Sequence, residues 1–475
     1  MYSVRLTLAP VWNGDTVGSV TVRLVFDLPV RAGEPLFRIR TRSIDKPFAA
    51  LDGELILSET TPGGACVKLP CETADCGEDM GSVRVFLPTR DASGETSLAY
   101  TVLPAPAGRN PVLDLGAEPG GLTGSGMTFL PAFFAEGPIR YAVRWDLSAM
   151  PKGSSAACSF GEGSAEREGD GNALVSAFYA VGAPLDCVRV GAFRYYWIRN
   201  PKLLETAVDA ARIFSAESAF FSDDGGIYSI FTRHGTDCAH PGGTADARAY
   251  LWLYRDSEQI DRAALNFLFA HEMAHNWITA PDEPYGTCTW FVEGMAEFYS
   301  LVLPWRAGIV TAGELADELN RKAADYYENP SRSAPNEDCG AAFLADPEKT
   351  KVPYGRGFFF LLHTDAVIRK ASDRRFSLDT LLFALLPRIA DAARGADAPT
   401  ASRRVNDLWI EECAKHIGPA AREDFAAMLS GRVWDPEPAA FGESLSVKAV
   451  PARTRVTGEA CTGWRFGAVE GKNEQ

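Results

Sequence analysis

Histidine is scarce in this chain, with six residues in 475. Any two histidines at a chemically meaningful spacing therefore stand out against a thin background. Long apolar runs are missing as well: no stretch reaches the roughly eighteen uninterrupted apolar residues that a membrane span requires. The opening MYSVRLTLAPVWNGD has neither an apolar core of adequate length nor a small-residue cleavage site, so a cytoplasmic protein without a membrane helix is expected. Positive charge is in deficit. With 47 Lys and Arg against 62 Asp and Glu, the net charge of -15 argues against nucleic acid or an anionic membrane as the main partner. There are no internal repeats, no Walker loop and no dinucleotide fingerprint. The ten cysteines are scattered, and the one cluster, Cys66, Cys71 and Cys76, lies in a loop-like segment. A structural zinc site needs a closer pair and a fourth ligand, so free thiols or one local disulfide are expected there.

What remains is an ordinary globular composition, 46% hydrophobic and 23% charged, with length for about two to four domains. Val20, Val22, Leu24 and Phe26 alternate with Thr21, Arg23, Val25 and Asp27, the period of a half-buried strand. SVRVFLP, SLAYTVLP and RYAVRWDL repeat the theme between turns such as PGG at 62–64, which predicts a β-sandwich or open barrel. GEGSAEREGDGN, at 161–172, reads as a polar boundary. Beyond it DCVRVGAFRYYWIR reads as a strand. Asn200 and Pro201 then open a helix whose apolar stripe is Leu204, Ala207, Val208, Ala211 and Phe214. GGIYSIFTR returns as a strand, and PGGTADARAYLWLY is extended. From Glu297 to about residue 430 the pattern is helical, with stops at Gly418 and Gly431. SLSVKAVPARTRV adds a short strand or two, and GKNEQ is expected to be loose. The chain thus reads as multidomain α+β, divided at 1–170, 171–320 and 321–475 into an N-terminal β domain, a middle domain and a mainly helical C-terminal domain.

The chemistry concentrates in HEMAHNWITAPDEPYGTCTWFVEGMAE, from His271 to Glu297. On a helix His271 and His275 are one turn apart, so both imidazoles leave one face and converge on one tetrahedral zinc. Glu272 stands beside them but off the ligand axis, placed to take a proton from a water. A third ligand is needed, and Glu293 supplies it from a second helix reached through the turn residues PDEPYG. Glu297, one turn later, is a candidate supporting carboxylate or a swapped ligand. Asp256 and Ser257 are the expected caps of the first helix, and Ile260, Ala264, Phe267 and Leu268 the stripe that the two histidines continue.

HEMAHNW followed by WFVEGMAEFY resembles the gluzincin metallopeptidases, in particular the aminopeptidase N and leukotriene A4 hydrolase family and the glycyl aminopeptidases. The resemblance implies a β-sandwich-like N-terminal domain, a thermolysin-like catalytic domain and a helical C-terminal domain. It implies one zinc ion held by His271, His275 and Glu293, with Glu272 as the base. It also implies that VPYGRGFFFLL is similar to the family's PYxKGxxLL stretch, making Tyr354 the donor to the oxyanion. The extended stretch before the zinc helix would lie along a peptide substrate, where Gly242 and Gly243 permit close approach. The family's amino-group glutamate, in GxMEN or GGLEH, is replaced here by Ala245, with Asp246 one residue on. The expected function is a zinc aminopeptidase acting on small peptides. The alternatives are an endopeptidase or oligopeptidase of the same fold, or a non-catalytic zinc-stabilised peptide-binding protein. His234 and His240, flanking Cys238, and His363 and His416 carry no site expectation.

Overall fold

The period-two alternation forms the strands it predicts. In Val17–Phe26 the residues Val17, Val20, Val22, Leu24 and Phe26 are buried, while Arg23 faces solvent. The antiparallel neighbour Tyr2–Trp12 pairs Val4, Leu6 and Leu8 with Phe26, Leu24 and Val22, so the apolar faces coincide. The computed structural model describes residues 1–43, 46–47, 50–61, 63–78, 81–105, 113–235, 242–246, 248–255, 261–343 and 345–469. The chain divides into two compact units, Met1–Ala211 with Gly225–Ile260, and Arg212–Asp224 with Asp261–Gln475.

The first unit is built from sheets. A seven-stranded sheet runs in the order Ala165–Gly169, Ile139–Trp145, Tyr2–Trp12, Val17–Phe26, Glu95–Leu103, Ala50–Thr60 and Cys66–Lys68. Two further sheets, one around Phe37–Ser43 and Gly81–Pro88 and one around Gly121–Ser125 and Phe178–Gly182, share a core with it through Leu24, Phe37, Phe86, Tyr141 and Tyr179. The expected boundary at 161–172 is corrected: Gly161–Glu162 and Ala165–Gly169 are strands, the second pairing with Ile139–Trp145. Their polarity belongs to the edges of two sheets, where one side faces water. The cysteine cluster is likewise on strands, with Cys66 in the first sheet and Cys71 and Cys76 in the second, all three free.

A fourth sheet runs Leu185–Val190, Phe193–Ile198, Tyr228–His234, Ala249–Tyr254 and Gly242–Asp246. Its three central strands are parallel and its two outer strands antiparallel. Two stretches expected as single extended runs are hairpins, folding back at Gly191, with φ 53°, and at Arg248, with φ 62°. Every residue of Ala249–Tyr254 is buried, as in strands covered on both faces.

Helix α1, Leu203–Phe220, contains the division between the units. Asn200 supports its entrance through Oδ1, which accepts the Lys202 N–H at 3.1 Å. Of the expected stripe Ala207, Ala211 and Phe214 are buried, together with Leu203, Ala210, Ile213 and Glu217, whereas Leu204 and Val208 are 51% and 45% exposed. Alanines on several sides leave the phase of such a helix open until a partner covers one face.

The second unit is helical, as expected to about residue 430. It comprises α2 (Arg262–Ala274), α3 (Thr289–Arg306), α4 (Ala312–Tyr327), α5 (Asn336–Ala341), α6 (Pro347–Ala371), α7 (Leu378–Ala393), α8 (Ala398–Ile417) and α9 (Ala420–Leu429). Gly418 and Gly431 terminate α8 and α9 with φ of 64° and 96°. Trp290 of α3 anchors the core, with its ring 5.1 Å from Trp409, 5.2 Å from Phe425 and 5.7 Å from Phe360. The tail forms a two-stranded ribbon, Leu445–Arg453 with Ala460–Ala468, tied to α4 by Asn320, which both donates to and accepts from the backbone of Phe466. The GKNEQ tail lies outside the described residues. Among the described residues no helix is long and apolar enough to cross a membrane. The architecture is mixed α+β, with several sheets and a helical bundle.

Candidate metal centre

Helix α2 is capped by Asp261, whose Oδ1 accepts the Ala264 N–H at 3.1 Å. The expected caps Asp256 and Ser257, and Ile260 of the expected stripe, lie outside the described residues. Of the rest of that stripe Phe267 is buried as expected, whereas Ala264 is exposed and Leu268 only half-buried; Leu265, Phe269 and Met273 complete the buried face. His271 and His275 are half-buried on the margin of this face, with 13% and 22% of their side-chain surface exposed. His275 closes the helix with φ -63° and ψ -10°, so the spacing of one turn survives at its last residue.

The reversal between α2 and α3 is held by Asp282, whose carboxylate accepts the Cys288 N–H at 2.5 Å, the Thr289 hydroxyl at 2.5 Å and the Gly286 N–H at 3.3 Å. This turn aims the second turn of α3 back at α2. The Nε2 atoms of His271 and His275 are 3.2 Å apart, and Oε2 of Glu293 lies 3.2 Å from the first and 3.5 Å from the second. Ligands at about 2.0–2.1 Å from a tetrahedral zinc are separated by roughly 3.3 Å. Three donor atoms thus mark out one face of such a coordination shell. Among the described residues this is the one group of three His, Cys, Asp or Glu side chains so disposed.

Charge is arranged to match. Burial opposes ionisation of Glu293, but hydrogen bonds and charge from His271 and His275 outweigh it and hold the carboxyl below its ordinary value. Burial also works against a charged His271, and Glu293 with Glu297 turns the balance upward. Glu272 moves the other way. Burial raises it, with Glu293 and Glu297 adding to the rise against the histidines, which suits a proton acceptor working near neutral pH. Glu297 sits 3.8 Å from Nδ1 of His271, the nitrogen facing away from the other donors. Burial opposes its charge, and the Lys322 ammonium paired with it overcomes that and keeps it ionised.

Tyr354 stands in the second turn of α6. Burial pushes its phenol far above the ordinary range, and Glu293 and Tyr285, its side-chain partners, push in the same direction. It stays a neutral donor. Gly294 of α3 abuts Gly357 of α6, which brings Tyr354 to Glu293. Tyr285, at the end of the PDEPYG turn, partners both Tyr354 and Thr289, and burial raises its phenol to about 12. Neither Tyr285 nor Lys322 carries a motif signal; the one hint is an aromatic residue placed in a loop of turn formers.

Gly242, Gly243 and Asp246 lie on the edge strand of the fourth sheet, paired on one side with Ala249–Tyr254. A Cβ on Gly243 would run into the Tyr250 ring, so packing within the sheet itself calls for glycine at this position. Ala245 is exposed and Asp246 half-buried. The other described histidines are engaged elsewhere. His363 Nδ1 meets Glu437 at 2.6 Å, with its ring 4.2 Å from Trp434. His416 has its ring 5.1 Å from Phe376, and His234 its ring 5.4 Å from Tyr254. His240 and Cys238 lie outside the described residues.

The fold is similar to those of solved aminopeptidase N family and M1 zinc metallopeptidase structures. An aminopeptidase N family protein from Idiomarina loihiensis has a TM-score of 0.68 at 13% identity, over 94% of this chain and 79% of that one. Yeast LTA4 hydrolase, in a complex with bestatin, gives 0.50 at 14% identity over 92% and 68% of the two chains. A two-domain M1 zinc metallopeptidase bound to L-tryptophan gives 0.50 at 17% over 92% and 95%. At these identities the likeness is one of fold. The sequence itself narrows the field, because residues 265–338, which carry the histidines and Glu293, match the M61 glycyl aminopeptidase family. No curated protein matches the chain. Family match and fold together support a peptidase, a hydrolase.

Proposed function

We propose that this chain is a zinc-dependent metallopeptidase that removes residues from the amino end of small peptides. The observation that carries the reading is the triangle of His271 Nε2, His275 Nε2 and Glu293 Oε2, with sides of 3.2, 3.2 and 3.5 Å. Those three residues hold one zinc, and Glu297 orients His271 from behind. When bound, zinc supplies a Lewis acid that makes a water acidic at neutral pH and polarises a carbonyl.

The chain's own groups do the rest. Glu272 accepts a proton from the attacking water and delivers it to the leaving amine. Tyr354 donates a hydrogen bond to the substrate oxygen on which negative charge grows, and Tyr285 fixes the direction of that donor. Gly242, Gly243 and Asp246 form the edge that an extended peptide joins as an added strand, with Asp246 in the place of the family's amino-group glutamate. A cytoplasmic workplace belongs to the same proposal.

Ala245 favours a second reading, an oligopeptidase or endopeptidase with no need for a free amino end. Matched peptides with free and acetylated amino termini separate the two. An aminopeptidase cleaves only the free form, and equal cleavage of both forms rules that version out.

A further inference from the structure

A cavity of about 300 Å³ opens in the helical unit beside the metal centre. Two of its walls belong to that centre. Glu297 lies 3.8 Å from His271, and Tyr354 has Glu293 as a side-chain partner. The cavity is therefore within one residue's length of the position where a substrate carbonyl would meet Tyr354.

Its charges sort into spent and unspent. Lys322, 11% exposed, is paired with Glu297 and lies 3.3 Å from Glu318. Arg321 donates to Glu318 at 2.9 Å and to Asp325 at 3.0 Å, and Asp325 also takes Arg455 at 2.6 Å. These groups neutralise one another. Lys351 also lines the cavity; it is exposed and has no ion pair among the described residues. It sits on α6 three residues before Tyr354, and Phe358, fully buried, follows Tyr354 by four. Residues at that spacing share a helix face, so this wall reads cation, hydroxyl donor, apolar floor.

The rise from Lys351 to Tyr354 is about 4.5 Å along the helix, close to the roughly 3.8 Å between successive residues of a peptide. A carbonyl held by Tyr354 thus places the neighbouring residue in reach of the Lys351 ammonium. We propose that this cavity is a substrate subsite for an anionic residue next to the scissile bond, whose carboxylate pairs with Lys351. The carboxylate comes either from an acidic side chain or from the end of a short peptide. The proposal rests on the peptidase reading above.

The test uses full-length, zinc-loaded protein and three matched pairs: Glu-Ala against Gln-Ala, Ala-Glu amide against Ala-Gln amide, and Ala-Ala against its amide. In wild type the anionic member of at least one pair is favoured about tenfold in kcat/KM through KM, the scale of a charge-assisted hydrogen bond. Which pair responds tells side chain from chain end. In Lys351→Met the ratio falls to about one; Lys351→Arg keeps it, and Lys351→Glu inverts it. Zinc content is measured for each variant, so that loss of metal is not read as loss of the subsite. Calorimetry on Glu272→Gln, with and without Lys351→Met, reads the same preference as binding. If wild type cleaves no peptide but Glu272→Gln still binds the anionic member more tightly through Lys351, the peptidase reading fails and the subsite stands. A wild-type ratio near one in all three pairs, or an unchanged ratio in Lys351→Met, overturns the subsite.

Discussion

Gly294 and Gly357 meet backbone to backbone where α3 crosses α6. A Cβ placed on Gly294 would lie 2.7 Å from the Gly357 carbonyl carbon and 2.8 Å from its Cα. Gly294 follows Glu293 directly and Gly357 comes three residues after Tyr354, so this contact sets the approach of the third ligand to the phenol. Gly294→Ala is expected to part the helices, lowering stability by about 1–3 kcal/mol, the range for overpacking a closed contact. It should also lower kcat more than it raises KM, because the Tyr354 interaction is asked for in the transition state. Denaturant midpoints and steady-state kinetics check both halves.

Glu272→Gln removes the proposed proton acceptor and leaves the three proposed ligands in place. Zinc content should match wild type while kcat falls by roughly 10²–10⁴, the usual contribution of a general base. Full hydrolysis by this variant would remove Glu272 from the mechanism.

Glu297 lies 3.8 Å from the far nitrogen of His271, through which it would act on a bound metal, and Lys322 keeps it ionised. Glu297→Gln is therefore expected to weaken zinc binding about 10–100-fold, as for other carboxylates behind a ligating histidine. Competition with a chelator gives the number, with no need for a substrate.

The strands were legible because period-two burial needs only one face of one sheet to be dry, and Val20, Val22, Leu24 and Phe26 met that condition. In α2 the convergence of His271 and His275 with Glu293 was legible, the packing only in part. His271 and His275 carry their chemistry in their spacing, whereas the buried stripe runs through Leu265, Phe269 and Met273, a choice made by the elements that cover α2. The glycines of EGM and YGRG gave a weaker sign. A helical glycine costs about 1 kcal/mol relative to alanine, which asks for a packing reason without naming the partner. Lys322 and Tyr285 had no local signature, since their roles arise from contacts between elements distant in sequence. The 161–172 stretch misled because an exposed edge strand and a linker have the same polar, glycine-rich composition.

Glu118 in the first unit offers a pH signature independent of the metal. Burial raises its carboxyl from the ordinary 4.5 to about 7, partly offset by the His234 N–H, Arg233 and the Thr123 hydroxyl. Between those two values the folded state binds more protons than the unfolded one, so the contribution of Glu118 is fully present below about pH 4.5 and is lost as pH rises through about 7. Glu118→Gln cannot ionise and should remove this slope. The wild-type minus variant stability, read from urea midpoints at pH 5 and pH 8, should therefore be higher at pH 5, and a pH-independent difference would contradict the assignment.

The central claim is a zinc ion held by His271, His275 and Glu293, and metal analysis of the purified chain tests it most directly. One equivalent of zinc per chain is expected in wild type, with almost none in His275→Ala at unchanged secondary structure. Wild-type protein that takes up no zinc on incubation, or a His275→Ala variant that retains a full equivalent, would contradict it.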